Sequence, residues 1–110
     1  QWNVCIETSL TVNFRHIEEL IPYVDHWFVD TKDYHNERIY NEYTQTKGLH
    51  PLMVRNLRVL KDIVGEEKIT VRVPYIKGFN NESDVNLSTV VLKLNGFTNI
   101  DKFEYEITNE

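Results

Sequence analysis

The chain has 110 residues, 41% of them hydrophobic, which suits one domain with a core of its own. Its formal net charge of -5 argues against a nucleic-acid surface, which is usually basic. A single cysteine rules out an internal disulfide, and no apolar run approaches the roughly 20 residues of a membrane span.

The elements follow in chain order. Trp2 to Glu7, "WNVCIE", is short and apolar and predicts a strand, with Cys5 read as a small buried hydrophobe in a reducing, cytoplasmic setting. Asn13 is placed to cap a helix whose apolar positions are Phe14, Ile17, Ile21 and Val24, and Pro22 is expected to end it near Ile21. "HWFVDTK" predicts a second strand, and "HNERIYNEY" a short polar helical turn. His50-Pro51 opens a longer helix, since proline suits the first helical position. Met53, Leu57, Leu60 and Val64 share one face of it, and Gly65 stops it. "KITVRVPYI" is a third strand, β-branched and apolar. Asn81 to Asp84 make a capping, acidic first turn, and Leu87, Val90, Val91 and Leu94 are expected to form the buried face of the helix behind it, which Gly96 ends. "IDKFEYEI" is a fourth strand. Alternating strands and helices predict an α/β fold, a parallel four-stranded β/α repeat. The chain opens in mid-strand with Gln1-Trp2, without Met or a basic segment. No signal peptide is expected, and residues 1–110 are expected to be a single piece of a longer protein.

Parallel α/β sheets bind ligands at the carboxyl ends of their strands. Here those ends carry Glu7 and Thr8 after the first strand, Asp30, Lys32 and Asp33 after the second, and Arg72 in the third. Glu104 and Tyr105 lie in the fourth. Two acids and two bases on neighbouring strands either pair with one another or cradle a zwitterion or cation. Arg72 is the most telling, because a guanidinium inside "VRVP" needs a partner. "PYIKGFNNES" reads as an extended loop in which Gly78 allows a positive φ and Asn80 and Asn81 close a turn into the next helix. The four histidines show no metal-ligand spacing, the aromatic residues scatter over core faces, and no glycine-rich phosphate loop is present.

Taken in register, "CIETSLTV", "VDHWFVDTKDYHNERIYNEYTQTKG", "MVRNLRVL" and "ITVRVPYIKGFNNES" resemble the radical S-adenosylmethionine (SAM) enzymes that activate glycyl-radical enzymes, such as the pyruvate formate-lyase activating enzyme. The resemblance runs from about Val4 to Tyr105. It implies half of a partial, six-stranded (β/α) barrel of TIM-like type, with SAM at the carboxyl ends of the strands. It further implies that Glu7 and Asp30 line the methionine end, with a cation between them, that Thr8 belongs to the same cofactor site, and that Lys32 contacts SAM. Arg72 would add to the same wall, and the loop from Ile76 to Asn80 would face the adenosine. The parent protein would carry a 4Fe–4S cluster and act on a glycyl-radical enzyme. The family's Cys-x-x-x-Cys-x-x-Cys motif is missing here, as is its Gly-Gly-Glu-type segment. Lys77-Gly78 replaces the usual Pro-Gly, and "FEYEITNE" has no histidine. The expectation is therefore a C-terminal portion that is inactive alone, with no catalytic or metal-binding residue of its own, and that self-associates through its exposed sheet edges. A receiver-like binding or signalling module and a piece of an ordinary (β/α)8-barrel enzyme, with Asp30 and Lys32 in acid–base or Schiff-base roles, are the alternatives.

Overall fold

The computed structural model describes residues 3–104. In order these form β1 (Cys5–Thr8), α1 (Phe14–Leu20), a 3-10 turn (Ile21–Tyr23), β2 (His26–Asp30), α2 (Glu37–Thr44), α3 (Leu49–Val64), a second 3-10 turn (Glu66–Lys68), β3 (Ile69–Tyr75), α4 (Glu82–Leu94) and β4 (Ile100–Glu104). The expected continuation of the fourth strand through Tyr105 to Ile107 lies outside the described residues, as does Trp2 in the first.

The local signals act as their chemistry dictates. The Asn13 side chain accepts from the Arg15 N–H at 2.9 Å and starts α1. Pro22 tightens the end of that helix into the 3-10 turn. Asn36 caps α2 by accepting from the Ile39 N–H, so the expected short turn is a full helix. Gly65 takes φ +93° at the end of α3, where its N–H donates to the Lys61 carbonyl at 2.9 Å. Asn81 and Asp84 exchange side-chain and backbone bonds in a capping box at the start of α4.

The sheet is α/β in class and all parallel, in the order β1-β2-β3-β4. Parallel crossovers are right-handed, so stepping always in one direction puts every connecting helix on the same face. The packing agrees. Trp27, Val29, Ile69, Val71 and Val73 alternate along the strands into a core that they share with Ile17 of α1, Tyr40 of α2, Met53, Leu57 and Leu60 of α3, and Val85 and Leu92 of α4. The opposite face of the sheet carries Cys5, Glu7, Phe28, Arg72, Asp101 and Phe103, all half-buried or exposed. This one-sided sheet is a partial β/α unit. Among the described residues the strand order shows no reversal of the kind a receiver-like, doubly wound domain has.

Two expectations are corrected by this packing. Cys5 is exposed rather than buried, because the two-residue alternation of β1 turns it to the open face. On α4 the face toward the core is Val85, Ser88, Thr89 and Leu92; of the expected face Val91 alone packs against the core, while Leu87, Val90 and Leu94 are exposed. The helix is apolar on both sides, so counting apolar positions picked the wrong side. Two small hydroxyl residues, Ser88 and Thr89, line the true one. Among the described residues no helix is long and apolar enough to cross a membrane.

Candidate ligand-binding edge

β1 and β2 are paired so that Glu7 lies beside Phe28, and β2 and β3 so that Asp30 lies beside Arg72. Pairing therefore brings Glu7, Asp30 and Arg72 onto three adjacent strands of the open face, as the strand-end reading anticipated. Arg72 Nη1 lies 3.3 Å from Glu7 Oε1, and its Nε 3.6 Å from Asp101 Oδ2. The guanidinium carbon also sits 5.6 Å from the Phe28 ring centroid and 5.4 Å from that of Phe103. A planar cation between two aromatic rings is held flat and partly dehydrated, which Arg tolerates and Lys does not. Those two rings correct the expectation that the aromatics only fill core faces.

Asp30 and Lys32 form the most closely joined pair at this edge. Lys32 Nζ is 2.7 Å from Asp30 Oδ2, with both side chains about one-fifth exposed. The Lys32 N–H also donates to Asp30 Oδ1 at 3.2 Å. This closure places Lys32 in the left-handed region, φ +60°, a position non-glycine residues seldom take. Between them Thr31 is fully buried, and its N–H and hydroxyl both donate to the Arg72 carbonyl, at 3.2 and 2.9 Å. The turn after β2 is thus bonded directly to the backbone of β3. The Lys32 ammonium lies 5.7 Å from the Tyr43 ring centroid, and Phe79 meets Tyr43 edge-on at 5.0 Å. Tyr43 was not among the expected site residues. It stands near the end of the polar "HNERIYNEY" helix, where nothing in the spacing marks it.

Thr8 and Ile76 serve the backbone. Thr8 Oγ1 accepts from the Leu10 N–H at 3.0 Å. Ile76 is fully buried. Its N–H donates to Asn80 Oδ1 at 2.7 Å, and its carbonyl accepts from the N–H groups of Phe79 and Asn80. The part of that loop that meets solvent is Lys77 to Phe79, turned by Gly78 at φ +90°. Among the described residues no group of three or more His, Cys, Asp or Glu is placed to hold a metal ion.

Behind the edge lies Asp33, 1% exposed. Its Oδ1 accepts from the Asn36 N–H at 2.8 Å and the Ser88 hydroxyl at 3.3 Å, and its Oδ2 from Asn80 Nδ2 at 3.2 Å. Burial pushes its carboxyl above the usual carboxylate range, and the bond from Asn36 opposes that rise.

Among curated proteins the chain is similar to an indoleacetate decarboxylase activating enzyme of Tractidigestivibacter scatoligenes, 30% identical over 95 residues, 81% of this chain. The similarity supports the activating-enzyme family in general. The chain spans only about a quarter of that relative, 27% of its length. No family model and no solved structure matches the chain.

Proposed function

We propose that the chain is the C-terminal portion of a radical SAM activating enzyme of the kind that serves glycyl-radical enzymes, and that it supplies one wall of the SAM site. The observation that carries this reading is the Asp30–Lys32 pair at 2.7 Å beside the Glu7–Arg72 pair, at the carboxyl edge of a one-sided parallel sheet. The similarity to an activating enzyme agrees with it.

The charges suit the amino-acid end of SAM, which carries an ammonium, a carboxylate and a sulfonium. Glu7 and Asp30 face the cationic groups, and Lys32 and Arg72 the carboxylate. Phe79, 39% exposed on its loop, offers an apolar surface to the adenosine. The iron–sulfur cluster is a different matter. It needs three thiolates and this chain has one, Cys5, so no step through a cluster is assigned to these residues. In the parent protein SAM supplies the chemistry that abstracts a hydrogen from a glycine of the partner enzyme. Here Lys32 and Asp30 bind and orient it. Half of a (β/α) barrel has open edges at β1 and β4, so the free chain self-associates or pairs with the rest of its parent, in the cytoplasm.

Titrating the 15N-labelled chain with SAM tests the reading. Amide shifts should concentrate on Asp30, Lys32, Arg72 and residues 77–79, and Lys32→Ala should abolish them. Shifts elsewhere, or none at millimolar SAM, would refute the assignment. Light scattering tests the self-association, and a monomer at micromolar concentration would overturn it.

A further inference from the structure

The ligand edge is built from two loops that come from different parts of the chain. One is the turn after β2, which carries Lys32 in its left-handed conformation. The other is the loop after β3, whose exposed tip is Lys77 to Phe79. The second loop is closed by Asn80, which uses every polar atom of its side chain. Its Oδ1 accepts from the Ile76 N–H at 2.7 Å, and its Nδ2 donates to the Pro74 carbonyl at 3.0 Å and to Asp33 Oδ2 at 3.2 Å. The amide orientation is fixed by the first two bonds, so Nδ2 has to point at Asp33. Asp33 follows Lys32 directly. Its other oxygen receives the first N–H of the α2 cap and the hydroxyl of Ser88 from α4, and the Ser88 oxygen in turn accepts from the His35 N–H at 3.0 Å.

A carboxylate buried to 1% exposure costs stability unless it is bonded, and here it has three donors. We propose that Asp33 is a positioning residue of the ligand edge: one buried carboxylate ties the Lys32 turn to the Asn80-closed loop and sets the two against each other. It touches no ligand itself. It acts through Lys32, its neighbour in the chain, and through Asn80. The assignment rests on the reading of this edge as the ligand site, but its test needs no ligand.

Asp33→Asn is the sharpest variant. Its oxygen still accepts from Asn36 and Ser88, but its amide nitrogen then faces Asn80 Nδ2, donor against donor, and Asn80 is not free to flip. Asn80→Ala cuts the same link from the other side and leaves Asp33 in place. The readout is the rate at which each lysine of the full chain is acetylated by a mild reagent, followed by mass spectrometry. Lys32 should react several-fold faster in both variants, as its pairing with Asp30 loosens, while Lys68 and Lys102 keep their wild-type rates. An unchanged Lys32 rate in a variant with lowered Tm would show a purely structural role and overturn the proposal. A parallel rise at every lysine would also overturn it. Should one variant fail to fold, the other gives the same comparison from the opposite side of the Asp33–Asn80 link. If wild-type chain fails to bind SAM while Lys32 responds as stated, the functional reading falls and the positioning role stands.

Discussion

The side of α4 that faces the core is open to a decisive test, because two leucines two positions apart should behave oppositely. Leu92 is fully buried and belongs to the core cluster, whereas Leu94 is 82% exposed. At 3.6 residues per turn they point about 160° apart. Truncating a fully buried leucine to alanine removes its transfer free energy and leaves a cavity, together about 3 kcal/mol. Leu94→Ala removes only solvated surface and should stay within about 0.5 kcal/mol. For a chain of this size 1 kcal/mol moves Tm by roughly 4 °C, so the expected losses are about 12 °C for Leu92→Ala and at most about 2 °C for Leu94→Ala. Urea titration with tryptophan fluorescence gives the free energies, and thermal denaturation by circular dichroism the Tm values. A loss above about 1 kcal/mol for Leu94→Ala, with a small one for Leu92→Ala, would refute the packing of α4 and restore the face read from apolar spacing.

Three further outcomes are expected. Asn56 is buried, and its Nδ2 donates to the carbonyls of Leu10 and Val12, both at 2.8 Å. Asn56→Ala strands both acceptors, should cost about 2–3 kcal/mol in urea titrations, and should speed proteolysis between β1 and α1. Glu66 Oε1 accepts from the Thr98 hydroxyl, the Thr98 N–H and the Asn99 N–H, and the Thr98 hydroxyl bond leads in holding its carboxyl below the usual range. Its folded form therefore binds a proton less readily than its unfolded form. Its contribution is present above the ordinary carboxylate range and is lost as pH falls through the lowered value, so the stability gap between wild type and Glu66→Gln should shrink from pH 7 to pH 3. Asp33 has the opposite sign. Burial raises its carboxyl, so its contribution is full below the ordinary carboxylate range and is lost as pH rises through the raised value. The gap between wild type and Asp33→Asn, measured by urea titration, should be widest in acid and narrow toward pH 7.

The described elements were legible in the sequence wherever one local signal decides. Asn13, Pro22, Gly65 and the Asn81–Asp84 box set their helix ends through bonds made within a few residues. The β-branched run of β3 could be read for the same reason. Glu7, Asp30, Lys32 and Arg72 meet at one edge because a parallel sheet aligns strand ends, a property of the topology more than of any contact. The losses came where tertiary choice overrides pattern. The buried side of α4 turns on Ser88, whose hydroxyl serves Asp33, a residue 55 positions away. The exposure of Cys5 turns on which face of the sheet the helices cover; it shares its face with Glu7, a two-residue alternation that reading "WNVCIE" as one apolar run passed over. Ile76, which the resemblance places in the loop toward the adenosine, is fully buried, and its N–H donates to the Asn80 side chain.

The charges that opened the functional question differ in what they do for the fold. The Glu7–Arg72 contact is a 3.3 Å ion pair with Glu7 68% exposed, and such a pair is worth about 0–1 kcal/mol. Arg72 Nε is buried without a hydrogen-bond partner, since Asp101 stands off at 3.6 Å. A guanidinium so placed contributes little stability to the free chain and still has a donor to give. Asp30 and Lys32 are better sheltered, yet their closure puts Lys32 in a strained backbone region, which costs of order 1–3 kcal/mol. Asp33, by contrast, has a donor on each oxygen and joins three segments of the chain. The strand end therefore divides its ionisable groups by depth. The innermost is bonded to both loops, and among the outer ones Arg72 keeps a buried Nε without a hydrogen bond, at the edge proposed above to meet a zwitterion.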